Sequence, residues 1–123
     1  MGVVVLDDSA SGTNSDEGRA MAQLIHDIAP GSELLFRTAF NGRADFAQGI
    51  IDLADAGADI IVDDIGYFLA PFFQDGPVAQ AVDQVVANGV SYFSSAGNSD
   101  NNSYEAPYVD LSLIHISEPT RPY

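Results

Sequence analysis

The chain contains no cysteine. Disulfides, thiolate nucleophiles and zinc–thiolate sites are therefore excluded. It also lacks lysine, and its four basic residues face 18 acidic ones, giving a formal net charge of −14. Such a surface repels phosphate backbones and anionic membranes, so neither nucleic acid nor membrane is an expected partner. No apolar run reaches the length of a membrane span. No basic stretch followed by a long apolar core opens the sequence, so no signal peptide is read in it. Self-repulsion favours solubility and predicts a gain from salt. An acidic balance fits a secreted or extracellular setting, which is the expected location.

What is present suffices for one domain core. Hydrophobic residues make up 46% of 123 residues, and the mean hydropathy is +0.06. Short apolar runs alternate with longer amphipathic ones. Residues 2–6 (GVVVL), 33–38 (ELLFRT), 59–63 (DIIVD) and 90–95 read as buried strands. Residues 16–28, 43–56 and 75–88 read as helices. Their expected inward faces are Met21, Leu24, Ile25 and Ile28, then Phe46, Ile50 and Leu53, then Val78, Ala81, Val82 and Val85. Ala29-Pro30-Gly31 stops the first helix, and Gly57 and Gly89 follow the other two as C-caps. This β-α-β-α-β-α-β order predicts an α/β fold. It would form three α/β/α layers around a parallel sheet with right-handed crossovers. No internal repeat is present.

The last segment breaks with this pattern. Residues 111–123 (LSLIHISEPTRPY) resemble the translation of a transposon adapter used in sequencing libraries. They are read as a non-native tail and set aside, and His115 with them. Residues 1–110 are the expected partial domain, and the natural protein is expected to continue beyond Asp110.

Three segments carry a family resemblance. Glu17-Gly18-Arg19-Ala20-Met21-Ala22, followed by Ala29-Pro30-Gly31, is similar to the histidine-motif helix of subtilisin-like peptidases and the turn after it. Gly57-Ala58-Asp59-Ile60-Ile61-Val62-Asp63-Asp64-Ile65-Gly66 resembles the strand entering that family's substrate-binding segment. The strand ending in Ala96-Gly97-Asn98 resembles the one that supplies an oxyanion-hole asparagine. The resemblance implies a partial subtilisin-like fold. It implies a parent serine endopeptidase acting on peptide or protein substrates, with Asn98 in the oxyanion hole and Ile65, Gly66 and Tyr67 along the substrate. The family's Gly-Thr-Ser nucleophile motif is absent, and Ser9-Ala10-Ser11-Gly12-Thr13 has the wrong order and place. The chain alone is therefore expected to be inactive.

Elementary topology points to the same rim. In a parallel sheet, ligands bind beyond the carboxyl ends of the strands. Glu17, Asp64 and Asn98 each follow a strand. Glu17 stands where the family has its general-base histidine. The related sedolisin family uses glutamate there, with a helper aspartate one turn on, where this chain has Met21. Asp64 offers another carboxyl, and a Glu17–Asp64 pair sharing a proton would raise one apparent pKa. The competing reading makes Glu17 the third helical residue, closing a capping box with Asn14. Asp7 and Asp8 end the first strand, close to Glu17, and read better as polar strand-end residues than as a triad aspartate. His26, near a helix C-terminus, reads as structural.

Tyr67, Phe68, Phe72 and Phe73 form an aromatic loop suited to apolar peptide side chains or to packing on the sheet edge. Residues 98–105 (NSDNNSYE) hold oxygen ligands but lack EF-hand spacing, and read as a polar loop. No cofactor is expected, a structural calcium in the intact protein being the one metal left open. Two further readings remain. One is a pseudopeptidase that keeps the fold as a binding module. The other is a flavodoxin-like ligand-binding domain, weakened by the absence of a glycine-rich phosphate loop.

Overall fold

Apolar runs too short for helices become strands, and runs with helical periodicity become helices, in strict alternation. In chain order these are β1 (Val3–Asp7), α1 (Glu17–Ile28), β2 (Leu34–Arg37), α2 (Arg43–Asp55), β3 (Ile60–Asp63), α3 (Pro77–Ala87) and β4 (Ser91–Ser94). The computed structural model describes residues 2–8, 15–71, 74–98 and 101. Residues 9–14, Phe72, Phe73, most of the polar loop at 98–105 and the adapter-like segment with His115 lie outside the described residues. The chain is a small α/β fold with parallel strand pairing. None of the described helices is long and apolar enough to cross a membrane.

Local chemistry sets the helix ends. The Ala29 N–H donates to the Ile25 carbonyl at 2.8 Å, and Pro30 cannot continue the ladder. Gly57 and Gly89 adopt φ of +98° and +96°, the left-handed turn that disfavours side chains. Pro77 opens α3, where its missing N–H is no loss.

The core lies where α2 and α3 pack on one face of β3. Phe46, Ala47, Ile50, Ile61, Ala81 and Val85 form it, with Leu53, Val78 and Val82 packed at its margin. These are the faces expected of α2 and α3. The α1 stripe behaves differently. Leu24 is 64% exposed and Ile28 85%, and α1 has no buried residue. Its start lies close to the sheet, where a Cβ on Gly18 would lie 2.7 Å from the Phe36 ring.

Side chains of neighbouring strand residues point to opposite faces. Phe36 meets α1, whereas Arg37 meets Asp45 and Asp52 of α2. The two helices therefore cover opposite faces, which gives three layers.

The strands depart from the single sheet expected. β1 pairs with β2, from Val3 opposite Leu34, and β3 pairs with β4, from Ile60 opposite Ser91. Among the described residues, no strand hydrogen bonds join the two pairs. Between them lies a cavity of about 560 Å³. It touches consecutive residues of β2 and the turn after it (34–40) and of β3 and its exit (61–65). A cavity above one face would touch alternate residues, so this one runs along the strand edges.

Candidate functional site

The site stands at the carboxyl ends of the strands, and strand alternation decides which side chains reach it. Asp63 lies opposite Ser94 in the β3–β4 register. It shares its face with Ile61, Tyr92 and Ser94. Its carboxylate accepts hydrogen bonds from the Tyr92 hydroxyl and from Ser94 Oγ at 2.8 Å. Burial and that carboxylate push the Tyr92 phenol well above its ordinary range. Asp63 is thereby a strand-end fastener.

Asp64, one residue on, turns to the other face. There it meets Glu17 from the start of α1 and Ser95 from the end of β4. Hydrogen bonding from Ser95, and then from Glu17, holds the Asp64 carboxyl below its ordinary range. Glu17 moves the opposite way, raised first by its hydrogen bond to Asp64 and then by the repulsion of that charge. The arrangement suits one shared proton, held by Glu17 and accepted by Asp64.

The helix start differs from the capping-box reading. Glu17 is the first residue of α1, after Asp16 as N-cap, and among the described residues no side chain makes a capping hydrogen bond. A box needs its glutamate at the third helical position. The Glu17 N–H instead lies 3.4 Å from Ser15 Oγ, and its carboxyl is left to face Asp64.

The remaining candidates fall in different places. Asp7 accepts from Asn41 Nδ2 at 3.2 Å and lies 3.8 Å from the Arg37 guanidinium, so it is tied into the α2 side. Asp8 lines the cavity with Glu17 and Asp64. Asn98 is exposed just after Gly97, whose φ is +72°. His26 occupies the last turn of α1. In the loop after β3, Ile65 packs at the core margin and Gly66 is exposed. Tyr67 stacks at a tilt on Phe46, with centroids 5.6 Å apart, and donates its hydroxyl to the Ala39 carbonyl at 2.7 Å. Phe68 is 90% exposed. Among the described residues, no group of three or more His, Asp or Glu is placed to hold a metal ion.

Two features escaped the sequence reading. Ser95 carries a hydroxyl that hydrogen-bonds to Asp64, and the β3–β4 register, carried one step past Asp63 and Ser94, would have placed it opposite Asp64. Arg37 gathers Asp45, Asp52 and Asp7 around a guanidinium whose side chain is 9% exposed. A single arginine in an apolar strand of a chain this acidic was the available signal.

No protein-family model matches the sequence, and searches of curated proteins and of solved structures return no match.

Proposed function

We propose that this chain is the part of a subtilisin- or sedolisin-like serine endopeptidase domain that holds the proton-handling groups. The observation that carries the reading is the Glu17–Asp64 carboxyl pair, with Ser95, at the carboxyl rim of parallel strands. A glutamate whose pKa is raised by a neighbouring carboxylate is a better-matched general base than an isolated one. Between its two apparent pKa values the pair carries one proton and can take up a second, which suits peptide hydrolysis in acid. The nucleophilic serine comes from polypeptide outside this chain. It attacks the peptide carbonyl while Glu17 accepts its proton and passes the proton it already held to Asp64, and the Asn98 amide donates to the developing oxyanion. Ile65, Gly66 and Tyr67 flank the substrate backbone. The chain alone does not hydrolyse peptides.

The second reading, a pseudopeptidase, is favoured by one observation: Met21 occupies the place of the sedolisin helper aspartate. The two separate in one experiment. The parent protein, expressed with its flanking coding sequence, is assayed on a quenched fluorescent casein from pH 3 to 8 and labelled with a fluorophosphonate. The peptidase reading expects turnover with an acid optimum, labelling of a serine outside residues 1–110, and loss of turnover in Glu17→Gln. Absence of both turnover and label across that range leaves the pseudopeptidase.

A further inference from the structure

The dipeptide Asn-Gly occurs twice, at Asn41-Gly42 before α2 and at Asn88-Gly89 after α3. Asparagine is thermolabile, and most so before glycine. The glycine nitrogen, unshielded by a side chain, attacks the asparagine side-chain carbonyl. A new C–N bond closes a five-membered succinimide, the Cγ–Nδ2 bond breaks, and ammonia leaves with the proton lost from the glycine N–H. Water then opens the ring at either carbonyl and gives aspartate or isoaspartate, with no oxidation or reduction. The dipeptide is the same at both places, and the fold separates them.

Asn88 is locked. Its N–H reaches the Gln84 and Val85 carbonyls at 3.3 and 3.1 Å, the Gly89 N–H donates to the Val86 carbonyl at 2.9 Å, and the Val90 N–H to the Val85 carbonyl at 3.1 Å. Its ψ of 4° places the Gly89 nitrogen beside the Asn88 nitrogen, a third of a turn from the Asn88 Cβ. Ring closure needs that nitrogen swung round to the side chain, and the swing breaks the helix cap. Asn41 is not locked. It and Gly42 are both exposed, and among the described residues neither N–H makes a well-formed backbone hydrogen bond. Nothing lies within 4 Å of where a Gly42 Cβ would stand, so the turn has room to move. The Asn41 Nδ2 donates to Asp7 Oδ2 at 3.2 Å, an exposed contact that water can replace.

We propose that Asn41 is a site of spontaneous modification, converted through a Gly42 succinimide to aspartate and isoaspartate in the folded chain, while Asn88 is preserved. The position gives the change a consequence. The Asn41 amide is a donor set among acceptors: it bonds Asp7 and helps hold the Asp45 carboxyl ionised. One guanidinium, that of Arg37, already serves Asp7, Asp45 and Asp52. The product carboxylate donates nothing and adds a further negative charge beside Asp7. The start of α2 favours negative charge, but Asp45 already stands in its first turn, and repulsion at direct contact outweighs the helix dipole. Isoaspartate also adds a methylene to the main chain just before Gly42, the α2 N-cap. Both products loosen the junction between the end of β1 and the start of α2. The inference stands whether or not the peptidase reading does.

The test holds the full chain at pH 8, folded or in urea, and maps pepsin peptides in acid over a time course, with isoaspartyl methyltransferase labelling to locate isoaspartate. In the folded chain Asn41 should convert about tenfold or more faster than Asn88, because Asn88 reacts only after its cap opens. In urea the two rates should converge. Asn41→Asp should have a lower urea midpoint at pH 7 than Asn41→Ala, which removes the donor without adding charge, and salt should narrow the gap. Three results would overturn the inference: equal conversion of the two sites in the folded chain, an intact Asn41 in the folded chain over a period in which it converts in urea, or an Asn41→Asp chain at least as stable as Asn41→Ala.

Discussion

Replacing Arg37 by methionine removes the guanidinium while keeping an unbranched stem in the same channel. Four hydrogen bonds go with it. Nε donates to Asp52 at 3.1 Å, Nη1 and Nη2 to the two Asp45 carboxylate oxygens at 2.8 and 3.1 Å, and Nη1 to the Asp45 carbonyl at 3.2 Å. A hydrogen bond to a charged group is worth roughly 1.5–3 kcal/mol when removed. The full sum does not apply, because the Asp45 and Asp52 side chains are 32% and 38% exposed and water reaches them once the arginine is gone. Counting the bidentate Asp45 contact at about 2 kcal/mol, and the wetter Asp52 and Asp7 pairs within the range of surface ion pairs, gives a loss of about 2–3 kcal/mol at pH 7.

The loss depends on pH in a definite direction. Hydrogen bonding to Arg37 holds the Asp45 carboxyl below its ordinary range. Its stabilisation is therefore present above the ordinary carboxylate pKa, about 3.9, and disappears as pH falls through the lowered folded value. Below that, the wild-type chain keeps a largely buried cation without ionised partners. The difference between Arg37→Met and wild type should shrink between pH 7 and pH 2.5. Urea unfolding of both proteins at the two pH values measures it. A difference at pH 7 below about 0.5 kcal/mol, the ordinary scatter of surface substitutions, would refute the reasoning, as would one unchanged at low pH.

Three further outcomes are expected. Gly49→Ala places a Cβ 2.7 Å from Arg37 Nη1 and displaces the guanidinium; its destabilisation in urea should shrink when Arg37→Met is also present, whereas two additive effects would place the strain elsewhere. Ile50→Ala, at a side chain 1% exposed in the centre of the core, should lose about 2–5 kcal/mol in the same assay. In a carboxyl NMR titration Glu17 should titrate above its ordinary value and Asp64 below, and Asp64→Asn should bring Glu17 back down. By linkage, the Glu17 contribution to stability is present in acid and lost as pH rises through its raised value, while that of Asp64 is lost as pH falls through its lowered one. Normal titration of both groups would remove the shared-proton arrangement.

The elements and their order were legible because the signals are local. Apolar periodicity gave every strand and helix to within a residue or two, and Pro30, Gly57 and Gly89 marked the stops. The inward faces of α2 and α3 followed from the same spacing. Those of α1 did not. Its stripe has the right period, but periodicity tells which residues would bury together and not whether anything lies over them. The rim location of Glu17 and Asp64 followed from strand order. Their pairing was foreseen as chemistry, whereas the place of Ser95 beside them required a register.

By itself, then, the sequence determined an alternating α/β chain, strongly acidic and without thiols, with carboxylates after its strands. Tertiary structure alone decided three things. It fastened Asp63 to Tyr92 and Ser94 and brought Ser95 beside Asp64. It drew Asp7, Asp45 and Asp52 around Arg37. And it left β2 and β3 unpaired across a cavity. Each depends on which edges and faces meet between residues far apart in the chain. Composition and periodicity carry no term for that, because an apolar strand reads the same whether its neighbour is present or missing.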